Sequence, residues 1–67
     1  MLTIEVEQEE DGRWIAEVTS IPGATAYGAT EADARSRAAA LAFRVLADLI
    51  EHGDPIPDEA RDLFAAV

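Results

Sequence analysis

Hydrophobic and polar residues alternate in two short segments near the start of the chain. Residues 2–7 alternate leucine, isoleucine and valine with threonine and glutamate, a period of two that is typical of a strand with one face toward solvent. Residues 14–18 repeat the same pattern. Between them, the pair Asp11 and Gly12 supplies the backbone angles that a tight hairpin turn needs. The pattern therefore predicts an antiparallel β-hairpin.

A break and a third short strand follow this hairpin. Pro22 cannot donate a hydrogen bond to a sheet, and Gly23 tolerates unusual backbone angles, so the two residues interrupt the pairing. Residues 24–27 predict a short third strand, which Gly28 ends.

A long helix is predicted next. Thr30 has the properties of an N-cap, because its hydroxyl can accept a hydrogen bond from the backbone amide of Asp33. The helix should run to about His52, since Gly53 favours the left-handed conformation that ends helices and Pro55 cannot continue one. That length is about 22 residues, or roughly 33 Å. We expect the His52 side chain to interact with the last helical carbonyls.

Apolar residues form two rows on this helix. The first row is suited to covering a sheet and consists of Ala34, Ala38, Leu41, Ala42, Val45 and Leu49. The second lies roughly 100° around the helix and consists of Ala32, Ala39, Phe43, Leu46 and Ile50. One sheet cannot cover both rows, so either the C-terminal segment or a second chain must cover the second. We therefore predict a homo-oligomer, with Phe43, Leu46 and Ile50 as candidate interface residues.

The C-terminal segment permits two interpretations. Apolar residues at 60, 63, 64 and 67 have helical spacing, whereas residues 63–67 could instead form a final strand. The predicted fold class is thus α+β, as a single domain over residues 1–67. An antiparallel sheet of three to four strands packs on one long helix in the order β-β-β-α, followed by a short helix or strand.

Composition and net charge exclude several classes of site and of binding partner. The chain has 67 residues, no cysteine and one histidine, which excludes disulfides and zinc sites of the Cys/His type. Fourteen acidic residues oppose five basic ones, for a net charge of −9. This charge repels phosphate backbones, so we expect no direct nucleic-acid binding and favour a cationic partner. No secretion signal or membrane-length apolar run occurs, so a cytoplasmic location is expected.

No residue set indicates catalysis, and we expect neither enzymatic activity nor a cofactor. Glu5, Glu7 and Glu17 could meet on one face of the hairpin as a solvated face, a partner-binding face or a metal site. Trp14 and Ile15 are neighbours in the second strand and point to opposite faces, so only one of them can face the core, and we favour Trp14. The candidate partner-binding residues are Glu5, Glu7, Glu17 and Tyr27. Arg35, Arg37 and Arg44 are expected to pair with Asp33 and Asp48 along the helix.

The order of these motifs resembles the HicB-like antitoxin family over roughly residues 1 to 57. The resemblance is carried by Asp11-Gly12, residues 14–18, Pro22-Gly23, Tyr27-Gly28, Thr30 with Asp33-Ala34, and residues 53–57. Asp33 stands where the family usually has glutamate. From Asp58 onward there is no helix-turn-helix or ribbon-helix-helix pattern, so no DNA-binding extension is expected.

The resemblance implies a partial ribonuclease-H-like fold without that fold's metal-binding carboxylates. It also implies an antitoxin that neutralises a small basic mRNA-cleaving toxin (HicA-like) by masking the toxin's active surface. Two alternatives remain open at this point. The chain could be a stand-alone homo-oligomeric domain without a toxin partner, or a residual metal-dependent nuclease.

Overall fold

Three strands and two helices build the chain in the computed structural model, which describes residues 2–61. The elements are β1 (Ile4–Gln8), β2 (Trp14–Val18), β3 (Thr25–Gly28), α1 (Glu31–Glu51) and α2 (Asp58–Arg61). The strands form one antiparallel sheet in the order β1-β2-β3, and α1 packs against it. The predicted α+β class, with its antiparallel sheet on one long helix, is confirmed. The predicted alternative of a strand over residues 63–67 lies outside the described residues.

The hairpin between β1 and β2 closes through a three-residue loop. The backbone N–H of Glu9 donates to the carbonyl of Arg13 at 2.7 Å, and that of Gly12 donates to the carbonyl of Glu9 at 3.0 Å. Gly12 has a φ of +92°, which glycine adopts without steric cost. The predicted turn is therefore confirmed. β3 begins one residue later than predicted and includes Gly28.

Both ends of α1 have the predicted caps. The Thr30 hydroxyl accepts the backbone N–H of Asp33 at 3.1 Å. At the other end, Gly53 has a φ of +71° and donates its N–H to the carbonyl of Ile50, while the N–H of Asp54 reaches the carbonyl of Leu49. This pair of bonds is a Schellman motif, which satisfies carbonyls that the helix leaves unpaired.

The core lies between the sheet and α1 and consists mostly of small side chains. Its buried members are Ala16, Val18, Ile21, Ala24, Ala34, Ala38, Ala42, Leu46 and Ala60. Small residues allow α1 to approach the strands closely, which is why many alanines can fill this space. Ile21 and Ala24 belong to the turn before β3, so that turn closes one end of the core.

The prediction that Leu46 is an interface residue is wrong. Leu46 is only 3% exposed and belongs to the core of its own chain. It continues the row of Ala34, Ala38 and Ala42 at four-residue spacing, and such a row turns about 40° around the helix at each step. The contact line on α1 follows this row across the twisted sheet, so it reaches Leu46 at the C-terminal end. Phe43 and Ile50, by contrast, are 61% and 49% exposed.

Candidate functional site: the open face of the sheet

The strand register decides which side chains share the sheet face that points away from α1. Glu5 is opposite Glu17, and Glu17 is opposite Thr25. Next to this row, Glu7 is opposite Ile15, and Ile15 is opposite Tyr27. We call this surface the open face, formed by Glu5, Glu7, Ile15, Glu17, Thr25 and Tyr27.

The register also settles the orientation of the second strand. Trp14 pairs with Gln8 and Gly28 and packs against the core, as expected from the sequence. Ile15 therefore lies on the opposite side, within the open face, where it remains half-buried. The result is an apolar residue at the centre of a surface with carboxylates around it.

Two like charges face each other directly on the open face. Because Glu5 and Glu17 are register partners, their carboxylates start from neighbouring backbone positions on the same side of the sheet. Like charges in such opposed positions are destabilising. Within residues 2–61, no salt bridge involves Glu5, Glu7 or Glu17. A cation from another molecule would relieve this repulsion.

Arg13 supplies positive charge at the hairpin end of the open face. Its guanidinium carbon lies 4.7 Å from the centroid of the Tyr27 ring, within cation–π range. Its Nε donates to Asp11 Oδ2 at 2.8 Å, and its backbone N–H donates to Asp11 Oδ1 at 3.1 Å. These bonds hold the pKa of Asp11 below its ordinary value, chiefly through the backbone donor. Arg13 is thus held beside Tyr27 and Asp11.

The two edges of the sheet differ. In β3, the carbonyl of Tyr27 accepts a hydrogen bond from Arg37 Nη1 at 3.3 Å, so a side chain of α1 occupies part of that edge. β1 is the opposite edge strand, and its pairing in this sheet is with β2 alone. Glu5 and Glu7 project from this strand onto the open face.

Other chemistry is limited in the part of the chain that the structure covers. Among residues 2–61, no three His, Asp or Glu side chains are grouped closely enough to hold a metal ion. No helix in that range has both the length and the apolar character needed to cross a membrane. His52 lies at the end of α1, where its Nδ1 is 2.7 Å from the carbonyl oxygen of Asp48, which confirms its predicted role at the helix end.

All four predicted partner-binding residues lie on the open face. Glu5, Glu7, Glu17 and Tyr27 come together there, and Tyr27 is 43% exposed. Sequence reasoning did not assign Ile15 and Thr25 to this surface. The hairpin turn could have identified these two residues, because pairing Glu9 with Arg13 sets the register of every later strand pair.

The predicted ion pairs along α1 are corrected. Arg35 Nε lies 3.6 Å from a carboxylate oxygen of Glu31, one turn earlier, rather than pairing with Asp33 or Asp48. Asp48 instead has His52 as its neighbour, at 3.5 Å between Oδ1 and Nδ1. Arg37 turns toward the sheet edge at Tyr27. The tertiary contact therefore competes successfully with pairing along the helix.

Neither a protein-family model, nor a curated protein, nor a solved structure matches the chain. The open face and the fold that presents it are therefore the basis for a functional proposal.

Proposed function

We propose that this protein is an antitoxin-like binding module that neutralises a small basic mRNA-cleaving toxin. In this proposal the open face covers the active surface of the toxin. The observation that carries it is the opposed pair Glu5 and Glu17, which lies on an exposed surface with no cation paired to it among residues 2–61. The order of sequence motifs that resembles the HicB-like family points to the same class of partner.

The geometry suits recognition of a cationic protein surface. The Cα atoms of directly opposed residues on paired strands are about 5.5 Å apart, and the Cα atoms of alternate residues on one strand are about 7 Å apart. Arginine or lysine side chains of a partner can reach between such positions and form charge-assisted hydrogen bonds. An RNA-cleaving protein needs cationic groups to hold its phosphate substrate. An acidic face that occupies those groups would exclude RNA.

Apolar contact at the centre would add affinity to this electrostatic recognition. Ile15 and Tyr27 are neighbours in the register and lie beside Glu7. Interfaces concentrate binding energy in central aromatic and aliphatic residues, while charges at the rim set the encounter rate and the specificity. The Arg13 guanidinium restrains the Tyr27 ring from one side, which reduces the ordering that binding would require.

The test pairs the chain with the product of the adjacent open reading frame, in a growth assay and in binding measurements on purified proteins. The double variant Glu5→Gln/Glu17→Gln removes two charges from the open face. We expect it to lose growth rescue and to bind at least about tenfold more weakly, because desolvated charge pairs are lost. The matched control is Glu10→Gln/Asp54→Asn, which changes the net charge equally at exposed positions outside the open face.

If Glu5 and Glu17 served only to stabilise the fold, replacing them would lower the free energy of unfolding. The proposal predicts the opposite. Removing the opposed charges should raise the free energy of unfolding of the free protein by roughly 0.2–1 kcal/mol, even as binding weakens. Equal binding by the double variant and its control would refute the proposed surface. RNA cleavage by the purified chain with added magnesium or manganese, abolished by the same double variant, would favour the nuclease alternative instead.

A further inference from the structure

A second exposed surface runs along the part of α1 that the sheet leaves uncovered. We call it the back stripe; its members are Ser36, Ala40, Phe43, Ala47 and Ile50, and all five are exposed. Their spacing alternates between four and three residues, which keeps them in a nearly straight line along a helix. The buried residues Ala38 and Ala42 lie on the other side of α1. The helix is therefore apolar on both its inner and its outer face.

Large and small side chains alternate on the back stripe. Phe43 and Ile50 are two of the three large hydrophobic residues that are exposed within residues 2–61. Alanines stand between and before them, at Ala40 and Ala47. A knob-and-hole surface of this kind is complementary to itself when a second copy approaches in the reverse direction.

We propose that a second copy of this chain packs on the back stripe, with the two α1 helices antiparallel. The large residues then meet small ones: Phe43 contacts Ala47 of the partner subunit, and Ile50 contacts Ala40 of the partner subunit. Both contacts occur twice by two-fold symmetry. A parallel pair would instead place Phe43 against its own copy, with alanine opposite alanine and a cavity at that level.

Charges beside the back stripe support the same register. Along one flank, Arg37 and Arg44 precede Asp48 and Glu51. In the antiparallel pair each flank meets the same flank of the partner subunit, so Arg37 lies near Glu51 of the partner subunit, and Arg44 lies near both Asp48 and Arg44 of the partner subunit. Within residues 2–61, neither Arg44 nor Glu51 has an ion-pair partner in its own chain.

The position of the back stripe also keeps the two acidic surfaces apart. The sheet covers the inner side of α1, and the open face is the far side of that sheet. In the dimer the two open faces therefore point away from each other, which limits repulsion between chains that each carry a charge of −9. Self-association and binding of a basic partner use different surfaces.

Sedimentation equilibrium on the full chain tests this proposal. At about 100 µM the expected mass is twice the chain mass of 7.2 kDa, because self-association follows mass action. Phe43→Asp should weaken dimerisation at least about tenfold, since it buries an unpaired charge. Ala29→Asp adds the same charge at an exposed position off the helix and should leave the mass unchanged. Circular dichroism verifies that both variants fold.

Two outcomes would overturn the proposal. One is a monomer mass for the unaltered chain at this concentration. The other is a persistent dimer in Phe43→Asp, which would place the contact elsewhere, for example at the β1 edge.

The orientation is tested with cysteines, which the natural sequence lacks. Chains carrying Phe43→Cys and chains carrying Ala47→Cys are oxidised separately and then as a mixture. The antiparallel register predicts a cross-linked dimer in the mixture and little in either single preparation, because only unlike positions come within disulfide range. Cross-linking of either single variant to the same extent as the mixture would contradict this register.

Discussion

At the residue scale, Arg13 controls where positive charge lies on the sheet. Its contacts with Asp11 and with the Tyr27 ring hold it at the hairpin end. Both partners of the Arg13–Asp11 ion pair are more than half exposed, so the pair contributes little to stability. Its effect is on the position of charge, because Glu5 and Glu17 lie four register positions further from the turn than Arg13 and have no ion pair with it.

The pKa of Asp11 provides a direct test of this arrangement. The backbone N–H of Arg13 lowers this pKa below its ordinary value, and the guanidinium adds to the effect. Since the folded pKa is the lower one, the stability that the ionised carboxylate contributes is present above the unfolded pKa. It is lost as the pH falls through the folded pKa. In an NMR titration, Arg13→Ala should raise the Asp11 midpoint only part of the way, because the backbone donor remains. An ordinary pKa in the unaltered chain would contradict this account.

At the element scale, Gly28 sets how closely the end of β3 approaches the start of α1. Gly28 is buried, and a Cβ at this position would lie 2.5 Å from the backbone nitrogen of Ala34 and 2.8 Å from Cβ of Asp33. Its φ is not positive, so glycine is needed here for space rather than for backbone angle. The close approach leaves room for Thr30 to cap the helix directly after the strand.

Replacing this glycine should separate the two elements. We expect Gly28→Ala to lower the free energy of unfolding by about 1–3 kcal/mol, because the backbone of α1 must shift to accept the methyl group. Urea denaturation measures the change. Ala29→Ser, at the exposed neighbouring position, should stay within about 0.5 kcal/mol of the unaltered chain. A similar stability for both variants would mean that β3 and α1 adjust without cost.

At the scale of the whole molecule, two surfaces of different chemistry occupy opposite sides. The open face carries carboxylates around Ile15, and the back stripe carries apolar residues around Phe43. A net charge of −9 acts on both, attracting a basic partner and opposing a second copy of the chain. The two associations should therefore respond to salt in different ways.

Salt dependence distinguishes the two interactions. Raising sodium chloride from about 50 mM to about 500 mM shortens the range of electrostatic attraction several-fold, so the complex with a basic toxin should form more slowly and bind more weakly. The homodimer should keep or gain affinity, because apolar contact persists while repulsion between like net charges is screened. Surface plasmon resonance follows the first association, and sedimentation follows the second. A toxin complex indifferent to salt would argue against recognition by charge.

Much of the local structure could be predicted because it depends on neighbours in the chain. The hairpin follows from alternation and from the freedom of Gly12, and the helix bounds follow from Thr30 and Gly53. These signals act over a few residues. Glu5, Glu7 and Glu17 were also identified, since alternation places them on the polar side of their strands, and Tyr27 was named because aromatic side chains concentrate binding energy at interfaces. Ile15 was not, because Trp14 competes with it and the pattern alone cannot rank the two faces.

The sequence by itself determined the order and type of the elements, the helix caps and the acidic character of the molecule. These properties depend on backbone preferences and on a count of charges. Only the tertiary structure decided that Leu46 belongs to the core, that Arg37 turns to the sheet edge, and that Glu5 opposes Glu17. Such choices depend on the angle at which α1 crosses the sheet and on the strand register. Both are set by packing between residues far apart in the chain.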